Sequence, residues 1–245
     1  MTTSIVSACD VSISYGARNV LEEVDMRVAP GRFIAMIGPN GGGKSSLLRV
    51  LAGTQAPSTG HVVRGGRVSL VAPSSNPPGD LTPFDLAGYG LASRRKFWQW
   101  SLAAEDALRV RDALARCELA ERADDPVALL SAGEVQRAWI ASALATAPDV
   151  LLVDDPTTHL DLKYQLAVLQ TLRELSQAGV AIVAAIHDLT LAGRFADQVA
   201  LVAARRLQCG PPDEILESHA LSDAFGIAVS TYRHPQDGYL VCLPS

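Results

Sequence analysis

Apolar and polar residues alternate from about Ile5 to Val28, in β-branched stretches punctuated by Tyr15-Gly16 and Pro30-Gly31. A period of two with such turns predicts an antiparallel β layer. The pattern then changes to continuous apolar runs, Phe33-Ile34-Ala35-Met36-Ile37, Val150-Leu151-Leu152-Val153 and Val180 to Ile186. Runs this short without alternation suit strands of a parallel sheet buried on both faces. Val68 to Val71 reads as another strand, whereas from about Leu81 to Ala128 helical spacing takes over with charges interspersed. Leu162, Leu166, Leu169, Leu172 and Leu175 mark one helical stripe, expected to face a core. After Leu201-Val202 the chain reads as a short appendage: Pro211 to Leu216, a helix through Phe225, then two short strands to Leu243.

The run Phe33 to Ile37 opens into Gly38-Pro39-Asn40-Gly41-Gly42-Gly43-Lys44-Ser45-Ser46, a full match to G-x-x-x-x-G-K-[ST], followed by a helix expected from Ser45 to about Ala52. Glycines let backbone N–H groups converge on phosphate oxygens, and the helix aims its positive end at them. Lys44 is placed to reach the β- and γ-phosphates and Ser45 to ligate Mg²⁺. The strand Val150 to Val153 ends in Asp154-Asp155. Ligands of such sheets sit at the carboxyl ends of strands. Asp154 therefore suits the Mg²⁺ shell, and Asp155 the position of a general base or water-orienting group. A solvated Asp-Asp-Pro turn is the bland alternative, weakened by the glycine loop upstream.

Between these two motifs lies Leu130-Ser131-Ala132-Gly133-Glu134, followed by Val135-Gln136-Arg137. With it the chain resembles the ATPase subunit of an ABC transporter, the pentapeptide matching the family signature with Ala132 in place of its usual first Gly. The resemblance implies an α/β P-loop NTPase fold with a RecA-like core, an N-terminal antiparallel β layer and a helical subdomain. It also implies that the signature, Ser131 to Glu134, binds the γ-phosphate of ATP held by a second subunit. A Ser-led helix start is chemically suited to an anion, although a bare S-x-G-E string is usually an ordinary helix cap. Three further segments resemble family motifs: Thr158-His159-Leu160-Asp161 the D-loop, His187 the switch histidine, and Tyr15 the aromatic that stacks on adenine. Imidazole at a carboxyl strand end can contact γ-phosphate or attacking water.

Whole segments narrow the resemblance. Thr158 to Leu166, Ile186 to Ala192, Gly210 to Leu216 and the ending Ala224 to Val241 are similar to subunits that power uptake of iron siderophores, haem and cobalamin. Two departures stand against that family. No Gln follows Val71, where Ala72-Pro73-Ser74-Ser75-Asn76 stands instead, with Ser74 or Asn76 as substitutes; and Asp155 occupies a position usually held by Glu.

Composition adds location and excludes some classes. Motifs interleave across the 245 residues, so residues 1–245 are expected to be one nucleotide-binding domain, with about 81–130 as helical subdomain and about 205–245 as appendage. Hydrophobic residues make up 48%, enough for a sizeable core, and a net charge of −5 provides no footprint for nucleic acid. Cys9, Cys117, Cys209 and Cys242 lack metal-ligand spacing, and Cys117 extends the apolar spacing Ala107, Val110, Leu114 as a buried thiol. Met1 to Ile5 shows no basic leader, and no apolar run reaches the roughly 18 residues needed to span a bilayer. A membrane would be reached through a partner. Arg94-Arg95-Lys96-Phe97-Trp98-Gln99-Trp100 is expected as a loop with aromatics packed inward, with docking to a membrane subunit as second choice.

The expected molecule is an ATP-hydrolysing, Mg²⁺-dependent subunit at the cytoplasmic face of a membrane. It would pair head to tail with a second copy, engage a permease, and serve an extracytoplasmic binding protein indirectly. Two rivals keep the fold: a weakly hydrolysing subunit paired with a competent ATPase, and a soluble ABC ATPase. The second would carry a tandem cassette or long coiled-coil insertion, neither of which occurs in this sequence.

Overall fold

The computed structural model describes residues 4–72, 77, 80–91 and 102–245. Ser74, Asn76 and the cluster Arg94 to Trp100 lie outside them. Strands β1 (Val6–Tyr15), β2 (Arg18–Val28) and β3 (Phe33–Ile37) precede helix α1 (Lys44–Ala52), then β4 (Thr59–Arg64) and β5 (Val68–Val71). Helices α2 (Pro83–Tyr89), α3 (Ala104–Arg116) and α4 (Ala132–Leu144) follow. The second half contains β6 (Val150–Val153), α5 (Leu162–Gln177), β7 (Ala181–Ala185), α6 (Leu189–Phe195), β8 (Gln198–Ala203) and β9 (Arg206–Gly210). The chain ends with α7 (Pro212–Ile215), α8 (Ser218–Phe225), β10 (Val229–Arg233) and β11 (Leu240–Pro244).

The central sheet has the order β5-β6-β7-β3-β8-β9, parallel except for the antiparallel edge β8-β9. Every residue of β3, β6 and β7 is buried, because both faces of the sheet are covered. Side chains alternate between the faces and so divide one strand between two cores. Phe33, Ala35, Ile37, Leu151, Val153, Ile182 and Ala184 join Val110, Leu114, Ile140 and Leu172 from the helices. Ile34, Met36, Val150, Leu152 and Val183 meet Leu47, Leu48 and Leu51 of α1 beneath Val11, Ile13 and Leu21 of the antiparallel layer β2-β1-β4.

This layering departs from the sequence expectations at three points. β4 completes the antiparallel layer by pairing with β1, yet five of its six residues are exposed, so no hydrophobic alternation announces it. β9, inside the expected appendage, pairs with β8 as an edge of the central sheet. Leu169, Leu172 and Leu175 are buried as the stripe predicts, but Leu162 is 64% exposed, because the first turn of α5 projects beyond the core. Cys117 is fully buried beside Leu114, and burial pushes its thiol up to about 12.

Helices α2 and α4 pack closely enough that Gly90 allows no side chain: a β-carbon there would overlap the Ser142 carbonyl of α4. Backbone cannot rotate away as a flexible side chain can. Gly90→Ala is expected to cost about 1–3 kcal/mol of folding stability, read as a lowered urea midpoint with an unchanged slope; an unchanged midpoint would refute this packing account.

Candidate functional site

Register places the chemistry. Val71, Val153, Ala184 and Ala35 form one row across β5, β6, β7 and β3. Just past that row the chain delivers Asp154 and Asp155 from β6, His187 from β7, and the glycine loop from β3. All of these line one cavity of about 500 Å³, together with Tyr15, Arg18 and Val20 from the antiparallel layer.

The loop is compressed between its neighbours. Gly38 has φ 142°, and a β-carbon there would overlap the Val202 carbonyl of β8. Gly43 has φ 108°, and its β-carbon would sit 2.8 Å from Val20. Gly43 also begins α1, which has no side-chain cap, so the first N–H groups of that helix face the cavity without a competing acceptor from a capping side chain. The Lys44 ammonium donates to the carbonyls of Gly38 at 2.7 Å and Pro39 at 3.1 Å. Burial lowers its pKa from the ordinary lysine value, opposed by the Asp155 and Asp154 carboxylates.

The acidic end is equally buried. Asp154 is 4% exposed and accepts a 2.9 Å hydrogen bond from Ser45 Oγ. Burial raises its carboxyl above the ordinary value, against the Ser45 bond and the Arg49 charge. A hydroxyl and a buried carboxylate within hydrogen-bond distance are hard oxygen donors, the kind a small divalent cation takes. These residues therefore fit Mg²⁺. Asp155 takes a left-handed backbone at φ 57° and sets Oδ2 3.3 Å from His187 Nε2. Its Oδ1 is buried without a partner among the described residues.

Tyr15 stands half exposed at the rim, its hydroxyl bonded to Ser46 Oγ at 3.1 Å and to Gln55 Oε1 at 2.8 Å. Asn40, Gly41 and Gly42 complete the loop wall.

The signature segment does not enter this cavity. Ser131 caps α4 through a reciprocal capping box with Glu134, which accepts from the Ser131 amide and hydroxyl, both at 2.8 Å, and from Arg122 at 3.0 Å. Burial would raise the Glu134 carboxyl, but the Ser131 bonds and Arg122 outweigh it and hold it below its ordinary value. Ala132 is exposed. Gly133 is buried against Tyr164 of α5, whose β-carbon would lie 2.7 Å from a β-carbon at that glycine. Leu130 and Ala132 instead line a second cavity of about 550 Å³ with Gln136, Thr158, His159 and Leu160. Asp161 caps α5 by accepting from the Tyr164 amide at 3.2 Å. One chain thus brings together Lys44, Ser45, Asp154, Asp155 and His187, and holds Ser131 to Glu134 apart from them. Sequence reasoning passed over Arg18, which lines the loop cavity; its signal was a cation three residues beyond the rim aromatic.

Residues 21–158 match the family model described as ABC transporter. Among curated relatives, a hemin import ATP-binding protein, HmuV, of Thermobifida fusca is 35% identical, over 99% of this chain and 89% of the relative. The ferric enterobactin transport ATP-binding protein FepC of Escherichia coli is 33% identical, over 96% of this chain and 92% of the relative. A chain of an ABC transporter solved in an inward-facing conformation superimposes with a TM-score of 0.90, covering 99% of this chain and 98% of its own, at 24% identity, which supports the fold.

The raised pKa of Asp154 has a consequence for stability. The folded chain binds this proton at higher pH than the unfolded chain, so the charged carboxylate costs stability at neutral pH, and the cost is relieved as pH falls through the folded pKa. Asp154→Asn, which keeps an acceptor for Ser45, is expected to raise the Tm of the nucleotide-free protein at pH 8, with the gap from wild type closing on acidification. An equal or lower Tm at pH 8 would contradict burial as the dominant effect.

Proposed function

Because this chain belongs to the ABC transporter family, we propose that it is the ATP-hydrolysing subunit of an importer for a metal chelate of the iron-siderophore, haem or cobalamin type. The observation that carries the ATPase assignment is the single cavity at the ends of β3, β6 and β7, which gathers the glycine loop, Lys44, Ser45, Asp154, Asp155 and His187. The cargo class rests on relatives of near full length named for hemin, siderophore and ferric enterobactin transport.

Gly38 to Ser46 hold the phosphates, Lys44 exchanging its carbonyl partners at Gly38 and Pro39 for phosphate oxygens. Ser45 and Asp154 hold Mg²⁺, which when bound neutralises phosphate charge. Asp155 orients attacking water and accepts its proton, and His187, 3.3 Å from Asp155 Oδ2, faces the γ-phosphate. Tyr15 supports adenine from the rim. Ser131, Ala132, Gly133, Glu134 and Asp161 belong to the interface with a second copy, where the signature completes the partner's site. We read residues 1–245 as one nucleotide-binding domain, with about 81–130 as helical subdomain and about 205–245 as an appendage whose first strand, β9, joins the central sheet. No helix among the described residues is long and apolar enough to cross a membrane. The subunit reaches the cytoplasmic face as a peripheral partner of a permease that receives cargo from an extracytoplasmic binding protein.

Asp155 favours one modification of this proposal, slow turnover. Relative to Glu, its carboxylate is withdrawn by about 1.3 Å, and displacement on that scale costs up to about 10²-fold in rate. Purified chain is expected to bind MgATP and hydrolyse it slowly. Asp155→Glu should raise turnover, and Asp155→Asn should retain binding while losing most of it. Unchanged or lower turnover in Asp155→Glu would sink the geometric account. In cells, deletion of the gene should abolish uptake of one radiolabelled iron chelate, haem or cobalamin, restored by wild type and not by Lys44→Ala; intact uptake of all three classes would reject the importer assignment.

A further inference from the structure

The glycine loop is roofed by the β1–β2 hairpin. Tyr15 and Arg18 pair directly across its turn, so their side chains share one face. The hairpin is anchored at both sides of that pair: Tyr15 bonds to Ser46 and Gln55 on the α1 side, while Val20 and Leu21 press on Gly43. Arg18 is therefore presented from a fixed ribbon. Its guanidinium Nη2 lies 4.0 Å from the position a β-carbon on Gly41 would occupy, and Arg18 lines the loop cavity.

Three neighbouring arginines have partners. Arg205 pairs with Glu22 at 2.8 Å, Arg206 with Glu23 at 2.6 Å, and Arg64 donates to the carbonyls of Leu51 and Val50. Among the described residues Arg18 has none. Lys44, the other permanent cation of the cavity, is already committed to two carbonyls, and its charge is balanced locally by Asp154 and Asp155. A nucleoside triphosphate entering here brings several negative charges to a wall with one unengaged cation. A guanidinium presents a planar fork of donors matched to phosphate oxygens.

We infer that Arg18 is a second cationic contact to the polyphosphate of the bound nucleotide, reaching it from the hairpin over Gly41. The inference rests on the proposal that the cavity binds ATP. The side chain is exposed, so its replacement leaves the packed layers intact. Nucleotide affinity is measured by displacement of a fluorescent ATP analogue from wild type, Arg18→Ala and Arg18→Lys, with MgATP and with inorganic tripolyphosphate, which has no base or sugar. Arg18→Ala is expected to weaken both competitors about tenfold at an unchanged Tm. Arg18→Lys should recover part of the loss, and the salt dependence of binding should become shallower in Arg18→Ala. Affinities within twofold of wild type overturn the inference. So does a loss confined to MgATP, which assigns Arg18 to base or sugar. If folded wild type binds neither the analogue nor MgATP, the ATP proposal itself fails, a result distinct from a wild type that binds and a variant that binds equally well.

Discussion

Burial of the central strands on both faces is the constraint from which the site follows. β3, β6 and β7 expose nothing along their lengths, so neither face of the sheet can hold a polar side chain without an unpaired group in an apolar layer. Polar chemistry is displaced to the strand ends. Because the three strands are adjacent and level in register, their ends converge on one place. Loop, carboxylates and imidazole meet there although they come from residues 38 to 187, and no local motif could join them without the sheet.

Assembling charges at the edge of two cores has an electrostatic cost, visible in opposite displacements: the Lys44 ammonium is pulled down and the Asp154 carboxyl pushed up, both chiefly by burial. Each keeps a substitute partner, carbonyls for the lysine and a hydroxyl for the aspartate, while Asp155 Oδ1 has none among the described residues. An unpaired buried acceptor is expensive. On the proposed function, these groups would be arranged for a ligand's charges before it arrives, and such preorganisation would let them act without reorganising in the transition state.

The parts of this arrangement that were legible in the sequence are those written as local pattern. Phe33 to Ile37, the glycine loop and Val150 to Asp155 combine composition with sharp boundaries, and they form β3, the lead into α1, and β6 with the turn after it. β4 was not legible, because an exposed edge strand carries little hydrophobic signal. β9 was hidden by position rather than pattern, since pairing with β8 is a tertiary fact. Gly133 shows a subtler limit. Its absence of a side chain has a sufficient packing reason in Tyr164, so a signature glycine is not by itself proof of phosphate contact. Arg18 is the converse, an ordinary surface cation in sequence that becomes informative only when the hairpin sets it beside Gly41.

The separation of the two halves of the chemistry constrains what this chain can be. Glu134 is consumed in capping α4 and in its bond to Arg122, and Gly133 is pinned on α5, so the signature cannot swing into its own chain's loop without dismantling both contacts. Ser131 and the exposed Ala132 nevertheless stand at a helix start on the surface, beside the Thr158 to Leu160 turn that lines the same cavity. If this fixed surface completes a site, as proposed, it does so by meeting another copy. On the proposed function, dimerisation would not assemble Asp154 and Asp155, which already share one cavity with Lys44 within a single chain; it would add donors from the other side. Coupling between transport and hydrolysis follows physically if closure of that gap controls when Asp155, short as it is, faces a correctly held water.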